Sequence, residues 1–488
     1  MVANAIIQQA GRYWFPWARD ATSASQRSRQ DLYRDLDGYY YNSLWSEQTR
    51  YLLRSLTSWA AGGEVQGLYN PVKTIVDFYR LYTLQGRLGA DGDARAEARI
   101  VTANPAIVPA LLDIIGWSGL DTVTRSLIPR LAANLGDCLL VAVDDARPDD
   151  PAAAKVWIEV RHPAELVDWD FDSRGNLTLA RLRETRYERD EAGRKRAYLY
   201  ERQFTKTEYA TFRDGRPASF RPDGLTRWPN PHGFVPVRLV KHQDDGDDFG
   251  LNAWHDAIPA INEINLRATH IGDIIGQHFA AVWAFFGAGP PAISNAQGAE
   301  EEQELDRGKA LYLPGQADAK PLVAGLDFAN AYTHIDRLLA WLRERFPELT
   351  LPELRRRTGE LSGVAVRGML LDLINRAEAA QANYTAELVR ALQMALTMGR
   401  NIGGAGRDLW QERGYGDLGR YEDGAFAFDI VWRPIIPLSE EEQLRLAAER
   451  AALEDELAQR QALRRAAAGS GDVEAALAGE RQRAAGGA

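Results

Sequence analysis

The segment 252–286 constrains this chain more than any other. Ile258, Ile261, Ile264, Ala268, Ile271, Ile275, Phe279 and Val282 recur at steps of three and four residues, the spacing of one face of an α-helix. Asn252 can cap such a helix, and Pro259 suits its start, where a missing N–H costs nothing. Read through to Phe286, the pattern predicts one helix of roughly 34 residues, about 50 Å long at 1.5 Å per residue. That is about three times the mean helix length. The other face carries Asn262, Asn265, Arg267, Asp273 and Gln277, so it is no membrane span. No run elsewhere approaches the ~20 apolar residues that a span needs.

A small module follows. Gly287-Ala288-Gly289-Pro290-Pro291 ends the helical pattern, and 288–325 holds turn signals around one strand-like run at 310–313. A second helix is predicted over 328–346, with Ile335, Leu338, Leu339 and Leu342 on one face. Pro347 and Pro352 interrupt it. The loop at 349–361 carries Arg355, Arg356 and Arg357, and Ser362-Gly363 opens a third long helix over 364–400. Beyond it lie a Gly-rich linker at 403–419, a strand candidate at 426–432, and a charged helix from Pro437 with Ser439 as its cap. The Ala/Gly/Glu/Arg-rich tail from 466 has the composition of a disordered segment.

The first half reads differently. Residues 1–90 are mainly helical in pattern, with Tyr33, Tyr39, Tyr40, Tyr41 and Trp45 in the early part. Asn70-Pro71 then starts a helix whose apolar face is Val72, Ile75, Val76, Tyr79, Leu81 and Tyr82. A solvent-exposed loop is expected at 89–93 and a helical stretch at 104–134. From 137 the pattern turns to short strand-like runs at 137–143, 156–160, 166–171, 177–184, 197–204 and 234–240. Turn clusters such as Ser173-Arg174-Gly175-Asn176 separate them. This predicts an antiparallel β region of meander type.

Charge narrows the function classes. The 488 residues carry a net charge of −10, and only 7 of the 58 basic residues are lysine. A protein that grips DNA phosphates tightly usually has a basic surplus, so a repressor-like binder is disfavoured. An acidic wall still lets DNA pass. The single cysteine, Cys138, cannot form an intrachain disulfide and reads as a small buried hydrophobe in a reducing compartment. The start of the chain lacks the basic and long apolar regions of a signal peptide.

Catalytic signatures are missing. Gly308-Lys309 lacks the earlier glycine and the following Ser/Thr of a P-loop. Gly116-Trp117-Ser118-Gly119-Leu120 has leucine where a nucleophile elbow needs glycine. No His-Glu-x-x-His pair occurs, and no cofactor is expected. The acidic loop Asp244-Asp245-Gly246-Asp247-Asp248 does not have EF-hand spacing and reads as a solvated turn. The chain is therefore expected to be no enzyme. Scattered carboxylates leave a metal-dependent DNA-processing enzyme as a weaker alternative.

Four passages, in order, resemble the portal proteins of tailed double-stranded DNA bacteriophages. They are Asn70-Pro71-Val72-Lys73-Thr74-Ile75-Val76-Asp77; Leu135-Gly136-Asp137-Cys138-Leu139-Leu140-Val141 with His162-Pro163-Ala164-Glu165; Phe234-Val235-Pro236-Val237 leading to Gly250-Leu251-Asn252 and Ile261-Asn262-Glu263-Ile264-Asn265; and Leu361-Ser362-Gly363-Val364-Ala365, followed by Ile435-Ile436-Pro437-Leu438-Ser439-Glu440-Glu441-Glu442. The likeness covers roughly residues 35–460. Where the family often has Gly-x-Ser, this chain has Asn252, which caps equally well.

The resemblance implies an α+β, mainly α, portal fold assembled as a ring, a head-to-tail connector. Residues 1–250 would form a wing of helical and antiparallel β parts, 251–286 the first stem helix, 287–326 a clip and 327–348 the second stem helix. Residues 349–362 would be a tunnel loop placing Arg355, Arg356, Arg357, Thr358 and Glu360 at the DNA channel. Residues 363–400 would be the long wing helix, 401–465 a C-terminal wing or crown region, and 466–488 a disordered tail. The implied function is a channel at one capsid vertex of the virion for DNA packaging and genome ejection. The implied partners are further copies of itself (a homododecamer), duplex DNA, terminase large subunit, head-tail adaptor, major capsid protein and scaffolding protein, with no membrane. The protein would be made in the bacterial cytoplasm. Another head or tail component, a minor capsid or adaptor protein, is the structural alternative.

Overall fold

A computed structural model describes residues 26–43, 69–279 with short breaks at 94–95, 148–149, 151–152, 191–192 and 222, strands between 283 and 321, and residues 328–351 and 370–435 apart from 405. The first half contains α1 (Gln26–Tyr40), α2 (Val72–Tyr82), β1 (Leu88–Ala90), β2 (Ala98–Thr102), α3 (Val108–Ser118), α4 (Val123–Leu135), β3 (Asp137–Asp145), β4 (Lys155–Arg161), β5 (Leu166–Phe171), β6 (Leu177–Arg189), β7 (Lys195–Thr205), β8 (Glu208–Arg213), β9 (Arg216–Pro217), β10 (Arg227–Pro229) and β11 (Val237–Lys241). The second half contains α5 (Ile258–Phe279), β12 (Trp283–Phe286), β13 (Ala292–Ser294), β14 (Glu300–Glu302), β15 (Leu311–Leu313), β16 (Asp318–Pro321), α6 (Phe328–Arg345), α7 (Leu371–Arg400), α8 (Leu409–Glu412) and β17 (Phe428–Val431). The protein is thus mixed helix and strand, and most strand pairs are antiparallel.

The β region is not one meander. Strands β5 to β8 run as a meander extended by β10, whereas β11, β3 and β4 form a separate three-stranded sheet. That second sheet is covered on both faces. Cys138, Leu140 and Ala142 of β3 join the helical core, while Leu139 and Val141 join a second core with Leu177, Ala180, Leu182, Phe204 and Tyr209 of the meander. A strand buried on both sides loses the polar alternation of a half-exposed one, which is why 137–143 reads as a continuous apolar run. Cys138 is fully buried, and burial pushes its thiol pKa far up.

Helix α7 is the axis of the helical core. Leu373, Ile374, Ala377, Tyr384, Leu388, Ala391, Leu392, Ala395 and Leu396 are all buried, at the three- and four-residue steps that make one apolar stripe. It packs against β3, β4 and β11 on one side and against α3 and β17 elsewhere. Helix α2 behaves as its spacing predicts at Val72, Ile75, Val76 and Tyr79, which are buried, but Leu81 is exposed. Asn70 supplies the expected cap, its side-chain oxygen accepting the Val72 amide at 3.1 Å.

Other expectations need correcting. The stretch 104–134 is two helices, α3 and α4, broken at Gly119 to Thr122. Residues 89 and 90, expected as the start of a loop, belong to β1, paired in parallel with β2. The Gly-rich 403–419 is more than a linker. Asp408 caps α8 by accepting the Trp410 and Gln411 amides, and Trp410 is fully buried, donating its indole N–H to the Leu396 carbonyl at 2.9 Å. The ring lies so close on Gly399 that any Cβ there would collide with it. Composition alone hides such an anchor, because one tryptophan outweighs several flanking glycines in buried area. The strand candidate at 426–432 is β17, antiparallel to β2.

The long helix also ends earlier than its periodicity implies. Helix α5 is described over 22 residues, Ile258–Phe279. Trp283–Phe286 is instead the strand β12, pairing in parallel with β15 and antiparallel with β16. Aromatic residues fit a pleated sheet well, and a short apolar run satisfies helix and strand periods alike. The module after the helix therefore starts at 283 rather than 287 and holds β12 to β16, not one strand. The predicted helix from 437 and the tail from 466 lie outside the described residues.

Candidate functional site

The part of the fold with no obvious role in a lone chain is the pair α5 and α6 with the strands between them. Asn252 accepts the Trp254 amide at 3.1 Å and so turns the chain into a single 3-10 turn, His255–Ala257, ahead of α5. Ile258, Ile261 and Ile264 are then buried against the core. Asn265, which the helical pattern assigns to the polar face, is also fully buried. Its amide brackets the Tyr69 backbone, accepting that residue's N–H at 2.9 Å and donating to its carbonyl at 2.8 Å. Asn262 accepts the Tyr39 hydroxyl at 2.8 Å. These two asparagines anchor the base of α5 to the chain's aromatic first part, a role that sequence spacing does not reveal.

Helix α6 runs back along α5. Arg345 pairs with Asp256 at 2.5 Å and His334 with Glu263 at 3.8 Å. Numbers that rise on one helix as they fall on the other make the pair antiparallel. Ile335, Leu338 and Leu339 pack on the core, and Leu342 is the one buried side chain of α6 among the described residues. Most of α6 is bare. Tyr332 is 49% and Trp341 44% exposed. They lie nine residues apart, about 180° around the helix at 100° per residue, so each flank carries one large aromatic.

The sequence-predicted site residues Arg355, Arg356, Arg357, Thr358 and Glu360 lie outside the described residues. Their flanks do not. The chain leaves α6 through the turn Pro347–Thr350 and resumes at Leu370, which is buried at the head of α7. Arg376 of α7 donates to the Arg345 carbonyl at 3.2 Å. The segment 352–369 therefore starts and ends at one junction of α6 and α7.

A buried polar chain lies at that junction. Glu348, 1% exposed, accepts the Tyr79 hydroxyl at 2.8 Å through Oε1, while its Oε2 is buried without a hydrogen-bond partner. Burial raises the carboxyl pKa above its ordinary value, because an ionised oxygen there would be poorly solvated. The Tyr79 ring meets the His242 imidazole edge-on, with centroids 4.6 Å apart, and His242 Nδ1 lies 2.5 Å from the Tyr384 hydroxyl of α7. Burial lowers the His242 pKa to about 3, so the ring is neutral at ordinary pH.

Two further clusters escaped the sequence reading. Asp137 is wholly buried, held by Arg29 at 2.6 Å and the Tyr33 hydroxyl at 2.7 Å. His162 accepts the Ala164 amide through Nδ1 and faces Asp37 through Nε2 at 2.9 Å. The only sequence signals for these were an isolated Asp before an apolar strand and a His-Pro turn. A recess of about 210 Å³ between the turn at 172–176, β11 and α7 is lined by Arg174, Arg238, Lys241 and Arg390. Its cations are partly compensated within the fold, Arg238 and Arg390 by Glu387 and Lys241 by Asp244. The Lys241–Asp244 pair also accounts for part of the acidic loop, and among the described residues no group of three or more His, Cys, Asp or Glu could hold a metal ion. No described helix is long and apolar enough to cross a membrane. No protein-family model matches the chain, and no curated protein sequence matches it.

Proposed function

We propose that the protein is a portal subunit, one copy in a ring that forms the DNA channel at a capsid vertex, and that it acts mechanically rather than as an enzyme. The observation that carries this reading is the antiparallel pair α5 and α6, tipped by a small strand module and bare along most of α6. A lone chain gains little from such a hairpin. Copies side by side cover it, because an aromatic on each flank of α6 suits a head-to-tail contact, which closes into a ring when its rotation allows. On this reading α5 and α6 are the stem, the strands at 283–321 the clip, the meander sheet and α7 the wing, and 349–362 the tunnel loop. An overall charge of −10 keeps duplex DNA from adhering to the wall. Terminase, adaptor, major capsid protein and scaffolding protein are the partners this implies, in the virion of a tailed phage, with a dodecamer as the expected assembly.

The test is negative-stain imaging of the purified full chain. Closed rings of about a dozen subunits with a central hole are expected for an interface of this heterologous kind. Monomers at micromolar concentration, or open filaments, would overturn the proposal.

A further inference from the structure

One stretch of this acidic chain carries a basic surplus. Residues 177–229 hold 13 Lys/Arg and 8 Asp/Glu, a surplus of five positive charges where the whole chain has −10. The core of that region is the hairpin β6–β7. Strand β5 pairs with β6 only as far as Leu182, and β8 pairs with β7 only from Tyr200. Asp214 still bonds the Leu199 backbone at the Thr185–Leu199 rung, and beyond it the hairpin continues through Tyr187–Ala197 and Arg189–Lys195 as two strands with no third among the described residues. A bare two-stranded ribbon is marginally stable in water.

One side of this arm is braced. The Arg186 guanidinium lies 3.7 Å over the Tyr200 ring and Arg213 lies 4.2 Å over Tyr198, while Phe220 stacks on Tyr198 and meets Tyr200 edge-on. Glu184 ties the same side to Arg161 of β4 at 2.6 Å. The other side is uncovered. Thr185, Tyr187, Arg189, Lys195, Ala197 and Leu199 are all exposed, Tyr187 at 68% and Leu199 at 39%. An exposed tyrosine with arginine beside it has the make-up of a protein-docking patch. The rigid back and bare front argue that the arm is built to be covered.

We infer that this face docks on the acidic surface of a second copy of the chain, formed by the loop Asp244 to Asp248. Those residues are exposed. The loop also lies on the other side of the same sheet. Phe249, which ends it, packs edge-on to Trp169, and Trp169 pairs with Ala180, whose side chain faces the core. A positive face on one side of a sheet and a negative surface on the other is the layout a head-to-tail contact requires. The inference rests on the ring reading and adds the wing contact that sets its direction.

A charge swap tests it by sedimentation and imaging of the full chain. Arg189→Glu with Lys195→Glu is expected to shift rings to monomers, as is Asp245→Lys with Asp247→Lys and Asp248→Lys. Mixing the two variants is expected to restore rings of alternating subunits. Tyr187→Ser, a milder change at an exposed position, is expected to lower the salt concentration at which rings dissociate. Rings of native salt tolerance from all three variants would overturn the inference and leave the portal reading standing. Loss of duplex binding by the Glu variant with its rings intact would assign the patch to DNA and overturn it too. A native chain that never forms rings overturns both.

Discussion

Asp137 and Gly250 are joined by a hydrogen bond of 2.8 Å from the Gly250 amide to Oδ1, across 113 residues of chain. Beside it Gly136, at φ 91°, lies so close to the Gly250 carbonyl that a Cβ on either glycine would collide with the other backbone. Arg29 and Tyr33 complete the shell around the same carboxylate. One buried acid thus binds together α1, the start of β3 and the segment leading to α5. Replacing Asp137 with Ala leaves the partly buried Arg29 without its partner, and a loss of about 3–5 kcal/mol is expected. Urea unfolding monitored by circular dichroism checks this, and a loss under about 1 kcal/mol, the scale of an exposed ion pair, would refute the clamp.

His242 sets an acid limit. Its folded pKa is depressed to about 3 from 6.5 by burial, so the unfolded chain binds this proton more readily than the folded one. Its contribution is complete above pH 6.5 and falls as pH drops from 6.5 toward 3, by at most about 1.4 kcal/mol per unit. His242→Gln should flatten the slope of unfolding free energy against pH in that window. An unchanged slope would show that the imidazole titrates freely.

Glu348 acts in the opposite direction. Its folded pKa is raised by burial above the ordinary 4.5, so the fold holds the proton more tightly than the unfolded chain. Stability from this group is complete below pH 4.5 and is lost as pH rises through the folded value. Each unit of that upward shift costs about 1.4 kcal/mol at higher pH. Glu348→Gln should therefore match the native chain at pH 4 and exceed it at pH 8. Thermal melts of both at the two pH values decide the matter, and equal differences at both would count against it.

Trp341 and Tyr332 should be needed for assembly rather than for folding. Each sits exposed on α6, so Trp341→Ser and Tyr332→Ser should leave the melting temperature nearly unchanged. In a ring, an aromatic at the centre of a contact is worth about 2 kcal/mol or more. The expected readout is dissociation at protein concentrations where the native ring persists.

The arginine triplet supplies a DNA test. Arg355→Ala, Arg356→Ala and Arg357→Ala together should leave rings intact and impair packaging or retention of DNA. In duplex binding by the purified ring, the slope of log K against log salt should fall by about 0.9 for each arginine that touches phosphate. An unchanged slope and normal packaging would remove these residues from the channel.

Much of this fold is legible in the sequence. Periodicity located α2, α6, the body of α5 and most of α7, because one face of each meets the core and must stay apolar. Strands β3 to β7 were placed to within a few residues, since β-branched and aromatic runs between turn clusters leave few alternatives. The long helix was overextended at Trp283–Phe286, where the same apolar run satisfies both periods. The linker at 403–419 concealed the Trp410 anchor.

The sequence by itself determined the bodies of the long helices, the strands β3 to β7, the acidic balance of the chain, and the order of helix, small module and helix, because these follow from local spacing and composition. Only the tertiary structure decided that Asn265 is buried, that β11 and β3 leave the meander to form their own sheet, that α5 and α6 run antiparallel, and that Gly136 meets Gly250. The physical reason is range. A hydrogen bond from Gly250 to Asp137, or from Asn265 to Tyr69, joins residues far apart in the chain, and no local pattern encodes which distant partner a polar group will find.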